Sequence, residues 1–458
     1  MSTLKTTNLQ SSDASSANIV LGQGSGGGAT ISGVTTSSTL RATTGIVTTA
    51  TITTADVTTS RTTTGITTTA TIDTATVGGV TTLNSDGVNS TGISTAKTFV
   101  PTEGQLSNRN LIINGAMQVA QRGTSSNNDG YHTVDRFKLG YGGEDETPTQ
   151  YQGALSSSDT GPWEAGLRQS YYVTNGNQTG GAGAGDYIEF QYKIEARDIA
   201  SSGWDYTSSS SYITLSFWVK SSVAQNFYGF VYSADGTAQR YIWETGTLTA
   251  NQWTKITKTI PGGTNVQFDD NNAEGMIIKW IPFYGTNKTN SSVGTLGAWA
   301  NYNGSARCPD YTSTWWTTDN ATFRITGVQL EVGSAATPFE HRSYGDELKR
   351  CMRYCQKIFN AQLIGTMNTS ARMRIMTNFP VPMRGTPSYT RTSTDLSFQK
   401  AASNETSSDT TEAQGASTAT ADGVAYARTW DFGGFSSLAD RTFIGGNGDH
   451  VFTLDSEL

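Results

Sequence analysis

Histidine and cysteine are almost missing from this chain of 458 residues, at three each. A catalytic triad would have to be drawn from the scattered His132, His341 and His450. No Gly-x-Ser-x-Gly nucleophile elbow, phosphate-binding loop or His-Glu-x-x-His motif occurs to support one. Cys308, Cys351 and Cys355 form an odd set without paired spacing, which excludes a disulfide framework. Cys351 and Cys355 read as small buried hydrophobes, since no third or fourth zinc ligand stands near them. Charged residues make up only 15% of the chain, and the net charge is -7 without any cluster of Lys and Arg. A nucleic-acid partner is therefore not expected, because phosphate binding needs such a cluster. No apolar run is long enough to span a bilayer, so membrane insertion is not expected either. The opening MSTLKTTNLQ lacks the basic and apolar regions of a secretory signal, which predicts assembly in a cytoplasm.

The first hundred residues are defined by scarcity as well, with no aromatic before Phe99 and no proline before Pro101. What fills them is threonine, 20 of the 40 residues from Thr43 to Thr82. The segment Arg41–Val57 returns as Arg61–Val77, shifted by 20 residues, so that Ile46, Ile52 and Val57 match Ile66, Ile72 and Val77. Isolated apolar residues at this spacing cannot build a core within one chain, whereas parallel copies around an axis can. β-Branched threonines suit the outside of extended segments. The expectation is an intertwined trimeric shaft; the alternative is a disordered Thr-rich linker.

From about Gly104 to Arg342 the composition reverses, with nine of the ten tryptophans and alternating strand-length segments. In Ser211–Ser222, Ile213, Leu215, Phe217 and Val219 share one face; in Gly185–Ala196, Ile188, Phe190, Tyr192 and Ile194 do the same. Phe227–Trp243 reads as two strands around Asp235-Gly236, and Asn251–Ile260 and Glu274–Gly285 continue the series. In Ala321–Gly333 the apolar phase switches at Gly327, which predicts a bulge. The pattern predicts an all-β architecture with a jelly-roll β-sandwich. Beyond it, Ser343 and Asp346 form a capping box, and Leu348, Cys351, Met352, Cys355, Ile358 and Phe359 fall on one face of a helix predicted over 343–360. Residues 361–458 read as a small C-terminal β tip domain, with the polar stretch Ala401–Asp422 as a loop.

Two segments resemble sequences recurrent in bacteriophage tail-fibre proteins, especially those of marine and cyanobacterial hosts. One is RNLIINGAMQVAQRG with YHTVDRF (Arg109–Gly123 and Tyr131–Phe137); the other is ITGVQLEVGSAATPFEHRSYGDELKRCMRYCQK (Ile325–Lys357). FPVPMRGTPSYT (Phe379–Thr390) and KTTNLQSSDASSANIVL (Lys5–Leu21) are similar to further segments of that family, and the four occur in its order. The resemblance implies a trimeric virion appendage with a carbohydrate-binding-module-like jelly roll, but it transfers no contact residues. The implied organisation is a virion anchor over 1–25, a shaft over 26–103, the jelly roll over 104–342, the helix and the tip domain.

Sugar recognition is expected from loop aromatics, whose faces stack on pyranose rings while amides and carboxylates bond to hydroxyls. The candidates are Trp163, Trp204, Trp299, Tyr302, Tyr311, Trp315 and Trp316. Trp315 and Trp316 are read as strand neighbours pointing oppositely, with one of them exposed. Asp269 and Asp270, with Asn271 and Asn272, are a candidate calcium loop whose alternative is a hydrophilic turn. No cofactor is expected. A glycan depolymerase would need two carboxyl groups about 5–10 Å apart, and the contiguous Glu144, Asp145 and Glu146 read instead as a solvated run. The reading is a non-enzymatic tail fibre that binds host-surface glycan multivalently and joins other virion proteins through its N-terminus. A head fibre or spacer without receptor binding is the alternative, and a depolymerase is the third.

Overall fold

The structure is a computed structural model; it describes residues 107–359 except 294, together with 81–84, 87–90, 364–369, 372–391, 396–400, 403–407, 412–419, 424–432, 443–447 and 451–458. The expected anchor and most of the threonine shaft lie outside the described residues. The chain divides into two compact units, Met1–Lys97 and Thr98–Leu458. In the first, β1 (Thr81–Asn84) and β2 (Gly87–Ser90) pair antiparallel, with Leu83 opposite Val88.

The second unit opens with an antiparallel sandwich. Its strands are β3 (Ser125–Ser126), β4 (Phe137–Gly142), β5 (Thr149–Ala154), β6 (Gln169–Thr174), β7 (Tyr187–Glu195) and β8 (Tyr212–Ser221). They continue as β9 (Asn226–Ser233), β10 (Gln239–Thr247), β11 (Thr254–Pro261), β12 (Glu274–Tyr284), β13 (Trp299–Asn301) and β14 (Thr322–Val332), with the helical turns α1 (Ala196–Ala200) and α2 (Thr314–Thr317) between strands. One sheet has the order β13-β10-β9-β12-β7-β4 and the other β11-β8-β14-β6-β5-β3, a sandwich of jelly-roll type. The period-2 pattern explains the layers. Ile213, Leu215, Phe217 and Val219 of β8 and Ile188, Phe190 and Tyr192 of β7 are buried in one shared core. Phe217 meets Trp280 edge-on at 5.8 Å, and Phe190 meets Phe323 at 5.8 Å. The bulge stands where the apolar phase switches: register slips between Thr326 and Gln329, and Gly327 between them has φ +60°.

The two long motifs are the fastening between the sandwich's beginning and end. The Asn110 side chain donates to the Val328 carbonyl at 3.1 Å and accepts from the Leu330 amide at 3.0 Å. Arg109 donates to Thr337 at 2.7 Å, and the Asn114 amide donates to Glu347. Gln121 donates to the Cys355 carbonyl at 2.7 Å. Each bond joins Arg109–Gly123 to Ile325–Lys357, and all but the Arg109–Thr337 contact satisfy a backbone group that needs a partner, which explains these residue types.

Two expectations for the C-terminal part need correction. The capping box is present, with Ser343 accepting from the Asp346 amide at 3.2 Å, but helix α3 spans only Tyr344–Met352. Cys355–Phe359 is instead strand β15, paired with the tail strand Val451–Asp455. Extension of a short helix adds little stability, whereas the extended form gains a full ladder and frees Arg353 and Tyr354 to reach Glu195. The stretch read as a loop over Ala401–Asp422 contains two strands, Ser403–Ser407 and Glu412–Ala419. They are the two edges of a seven-stranded sheet, where small polar residues suffice because the backbone ladder holds one side only.

Candidate functional site

Strand β8 buries Phe217 and Val219, which forces Trp218 between them onto the outer face of its sheet. There Trp218 is half-buried in an apolar patch with Trp163, Trp253 and Phe339, floored by Leu155 and Leu167. The patch borders a cleft of about 450 Å³ whose lining includes Trp218, Phe339, His341, Ser216, Lys255 and Thr337. Two glycines make room for the indole. A Cβ on Gly161, at φ +91°, would lie 2.5 Å from the Trp218 ring; one on Gly327 would lie 2.6 Å from Leu167 and 3.2 Å from Trp218.

The rim is held by polar contacts. Asp159 accepts from Lys220 at 2.7 Å and from the Trp253 indole N–H at 2.8 Å. Burial would raise the Asp159 carboxyl, but the bonds from Lys220, the Ser156 amide and Trp253 outweigh it and hold it well below the usual range. The Arg168 guanidinium stacks 3.7 Å from the Trp163 ring centroid. His341 is exposed, meets Phe339 edge-on at 5.1 Å and bonds the Ala165 carbonyl at 2.8 Å. This arrangement of half-exposed aromatic faces with hydroxyls, an imidazole and an ammonium at the margin can take a small polar molecule that has one apolar face.

Of the aromatics proposed from the sequence, only Trp163 belongs to this patch. Trp315 and Trp316 are a correction: they sit on the helical turn α2 (Thr314–Thr317), and both are fully buried. The Trp315 indole donates to the Thr322 carbonyl at 3.1 Å, and the Trp316 indole donates to that of Gly181 at 2.9 Å. Trp316 also stacks on Phe283 at 5.2 Å. Trp204 is buried too, packed on Tyr206 and Phe268. The Tyr311 hydroxyl is spent on strand backbone, donating to the Ile281 carbonyl at 2.8 Å. Trp299 on β13 leans on Tyr241 at 5.6 Å and beside a second, polar cleft of about 550 Å³ lined by Tyr206, Gln239, Gln267 and Asn301. Tyr302 is half-buried on the outer face of the other sheet, edge-on to Tyr232 at 4.7 Å. Sequence reasoning missed Trp218, Trp253, Phe339 and His341, although Trp218 falls in the polar phase of an alternating strand.

Asp269 and Asp270 are exposed, and Asp270 pairs with Arg197 at 3.3 Å. Among the described residues, no group of three or more His, Cys, Asp or Glu side chains is placed to hold a metal. The three cysteines are free and buried, and burial pushes their thiols upward.

No family model matches this sequence, and no curated protein matches it. Solved structures similar to it include the enzymatically active domain of bacteriophage CBA120 tailspike protein 4, at 11% identity and TM-score 0.27, covering 49% of this chain and 21% of that one. The chain thus spans about a fifth of that tailspike. A family 11 carbohydrate-binding module from Clostridium thermocellum, in complex with a mixed-linked tetrasaccharide, is similar at 11% identity and TM-score 0.22, with 48% of this chain and 97% of that one covered. The N-terminal cellulose-binding domain of Cellulomonas fimi β-1,4-glucanase C is similar at 9% identity and TM-score 0.23, with 48% and 99% covered.

Proposed function

We propose that this chain is a homotrimeric, non-enzymatic bacteriophage tail fibre that attaches to the host surface by holding glycan in the tryptophan cleft. The observation that carries the reading is Trp218, turned outward from a buried strand with Trp163, Trp253 and Phe339 around it. The C–H face of a pyranose fits such rings, and its hydroxyls find Ser216, Thr337 and Lys255 at the margin. Glycoside cleavage needs a pair of carboxyl groups, and the residues lining the cleft include neither Asp nor Glu, which favours binding without turnover. The motif resemblance supports a virion location, with Leu4–Leu21 as the docking segment, and the threonine repeat supports three parallel copies. Three weak sites per fibre, several fibres per particle, then act through effective concentration.

The test is competition of phage adsorption by the purified full chain, with its mass measured by light scattering and neutral oligosaccharide binding by titration. The chain should be trimeric and compete. Trp218→Ala should weaken sugar binding about two- to tenfold, as expected for loss of about 0.5–1.5 kcal/mol of aromatic contact. A folded trimer that neither competes nor binds sugar would leave a head fibre or spacer; shortening of host polysaccharide would make it a depolymerase.

A further inference from the structure

The second, polar cleft takes its chemistry from a short alternation after β11. Val266 and Phe268 are buried, so Asn265 and Gln267, on either side of Val266, turn outward. Backbone bonds fix the loop that carries them to its neighbour. The Gly263 amide donates to the Tyr206 carbonyl at 2.8 Å, and the Val266 amide donates to that of Gly263 at 2.9 Å. A Cβ on Gly262 would lie 2.5 Å from the Ser208 carbonyl oxygen and 2.7 Å from that of Tyr206, so only glycine allows the approach. The Tyr206 ring is held in turn by Phe268 and Trp204, edge-on at 5.1 and 6.2 Å.

The rest of the wall comes from the turn between β9 and β10 and from β13. Gln239 is buried there and donates to Asn301 Oδ1 at 2.8 Å and to the Thr237 carbonyl at 2.9 Å, which sets both residues at the rim. Gly236, at φ +62°, leaves room for Gln267, whose Oε1 would lie 2.5 Å from a Cβ there. The cleft of about 550 Å³ so formed has no Asp, Glu, Lys, Arg or His in its lining. The Thr237 and Thr264 hydroxyls and the Asn265 and Gln267 amides are exposed in it. Among the described residues, no other group takes these four side chains as a hydrogen-bond partner.

We propose that this cleft is a second glycan site, taking a neutral saccharide whose neighbouring hydroxyls bond the amides of Asn265 and Gln267, with Tyr206 as the aromatic wall. The proposal rests on the reading of the chain as a glycan binder, but on none of the residues around Trp218. Each carboxamide presents a donor and an acceptor side by side, which matches two adjacent sugar hydroxyls. An ionic ligand would find no counter-charge in the lining, and a wholly apolar one would leave the amides without partners. Loops already fixed by backbone bonds lower the ordering cost of binding. Lys255, near the start of β11, borders the Trp218 cleft, while the loop beyond Pro261 borders this one, about 20 Å further along the strand. Each chain then holds two saccharides at once, and avidity rises without a tight site.

The test is saturation-transfer NMR on the full chain, with tetrasaccharides of glucose, galactose and mannose as neutral probes and glucuronate as the charged one. Transfer to a neutral sugar should fall in part with Trp218→Ala, in part with Asn265→Ala and Gln267→Ala together, and furthest with all three. Measured in Trp218→Ala, the amide substitutions should weaken binding at least about fivefold, the loss of two hydrogen bonds. That binding should be the same at low and at physiological salt. Both amides are exposed, so the melting temperature should not move. Transfer that falls with Trp218→Ala but ignores the amide substitutions would overturn this proposal and leave the Trp218 cleft intact. The opposite pattern would keep this site and remove the Trp218 cleft. In Trp218→Ala, a preference for glucuronate or a weakening with salt would refute a neutral ligand. Transfer indifferent to all three substitutions, or none from any neutral sugar, would overturn both sites.

Discussion

Glu195 is the carboxylate through which the sandwich holds the segment after α3, and Glu195→Gln tests how firmly. Its side chain is 1% exposed and accepts from Arg353 at 2.6 and 2.7 Å, in the two-pronged form, and from the Tyr354 hydroxyl. Tyr354 in turn lies under the Arg136 guanidinium, whose Cζ is 3.4 Å from the ring centroid, and Arg136 pairs with Glu457 beside the tail strand. The amide keeps the shape but turns an N–H donor toward donors that need an acceptor. Breaking a buried pair costs about 3–5 kcal/mol; Arg353 is about a quarter exposed, so water recovers part of it and we expect about 2–4 kcal/mol. Urea unfolding followed by tryptophan fluorescence measures the difference. The pH dependence supplies a sign. Burial would raise Glu195, but its bonds from Arg353 and Tyr354 prevail and its folded value lies below the ordinary 4.5. The stabilisation is therefore complete above pH 4.5 and disappears as pH falls through the depressed folded value. The gap between wild type and variant should narrow over that acid window. A gap below about 1 kcal/mol at pH 7, or one that does not change with acid, would refute the account.

The buried and outward tryptophans should separate stability from binding. Trp316→Ala removes a fully buried indole stacked on Phe283 and should cost about 3–5 kcal/mol in urea unfolding, with sugar affinity unchanged in the folded fraction. Gly161→Val places a Cβ 2.5 Å from the Trp218 ring at φ +91°; it should cost about 1–3 kcal/mol from backbone strain and weaken sugar binding in the same titration that reports on Trp218. Unchanged affinity in Gly161→Val would remove Trp218 from the site.

The sandwich was legible because its strands turn their large apolar residues to the shared core and mostly polar ones, such as Thr214, Ser216 and Gln329, the other way, and period-2 alternation is what this imprints on sequence. The bulge was legible for the same reason, since a phase switch at Gly327 has no other cheap explanation. The end of α3 was not. Leu348, Cys351, Cys355 and Ile358 suit a helical face, and only the tail strand, some ninety residues later, makes β15 the better conformation. The same non-locality hid the strands Ser403–Ser407 and Glu412–Ala419, whose polar composition reads as loop until a ladder is offered.

The site fared worse than the fold, and the reason lies in how tryptophan is used. Loop position suggests exposure, yet a loop that crosses the end of a sandwich must itself be anchored, and a large ring with one N–H is well suited to that. Trp204, Trp315 and Trp316 each send the indole N–H to a backbone carbonyl and bury the ring beneath the loop. A strand leaves less freedom. Once Phe217 is fixed inward, the pleat turns Trp218 outward, and a large apolar ring at a position open to polar residues then asks for a partner. Candidate binding residues in such sandwiches are therefore better sought in the outward phase of strands than among the aromatics of loops.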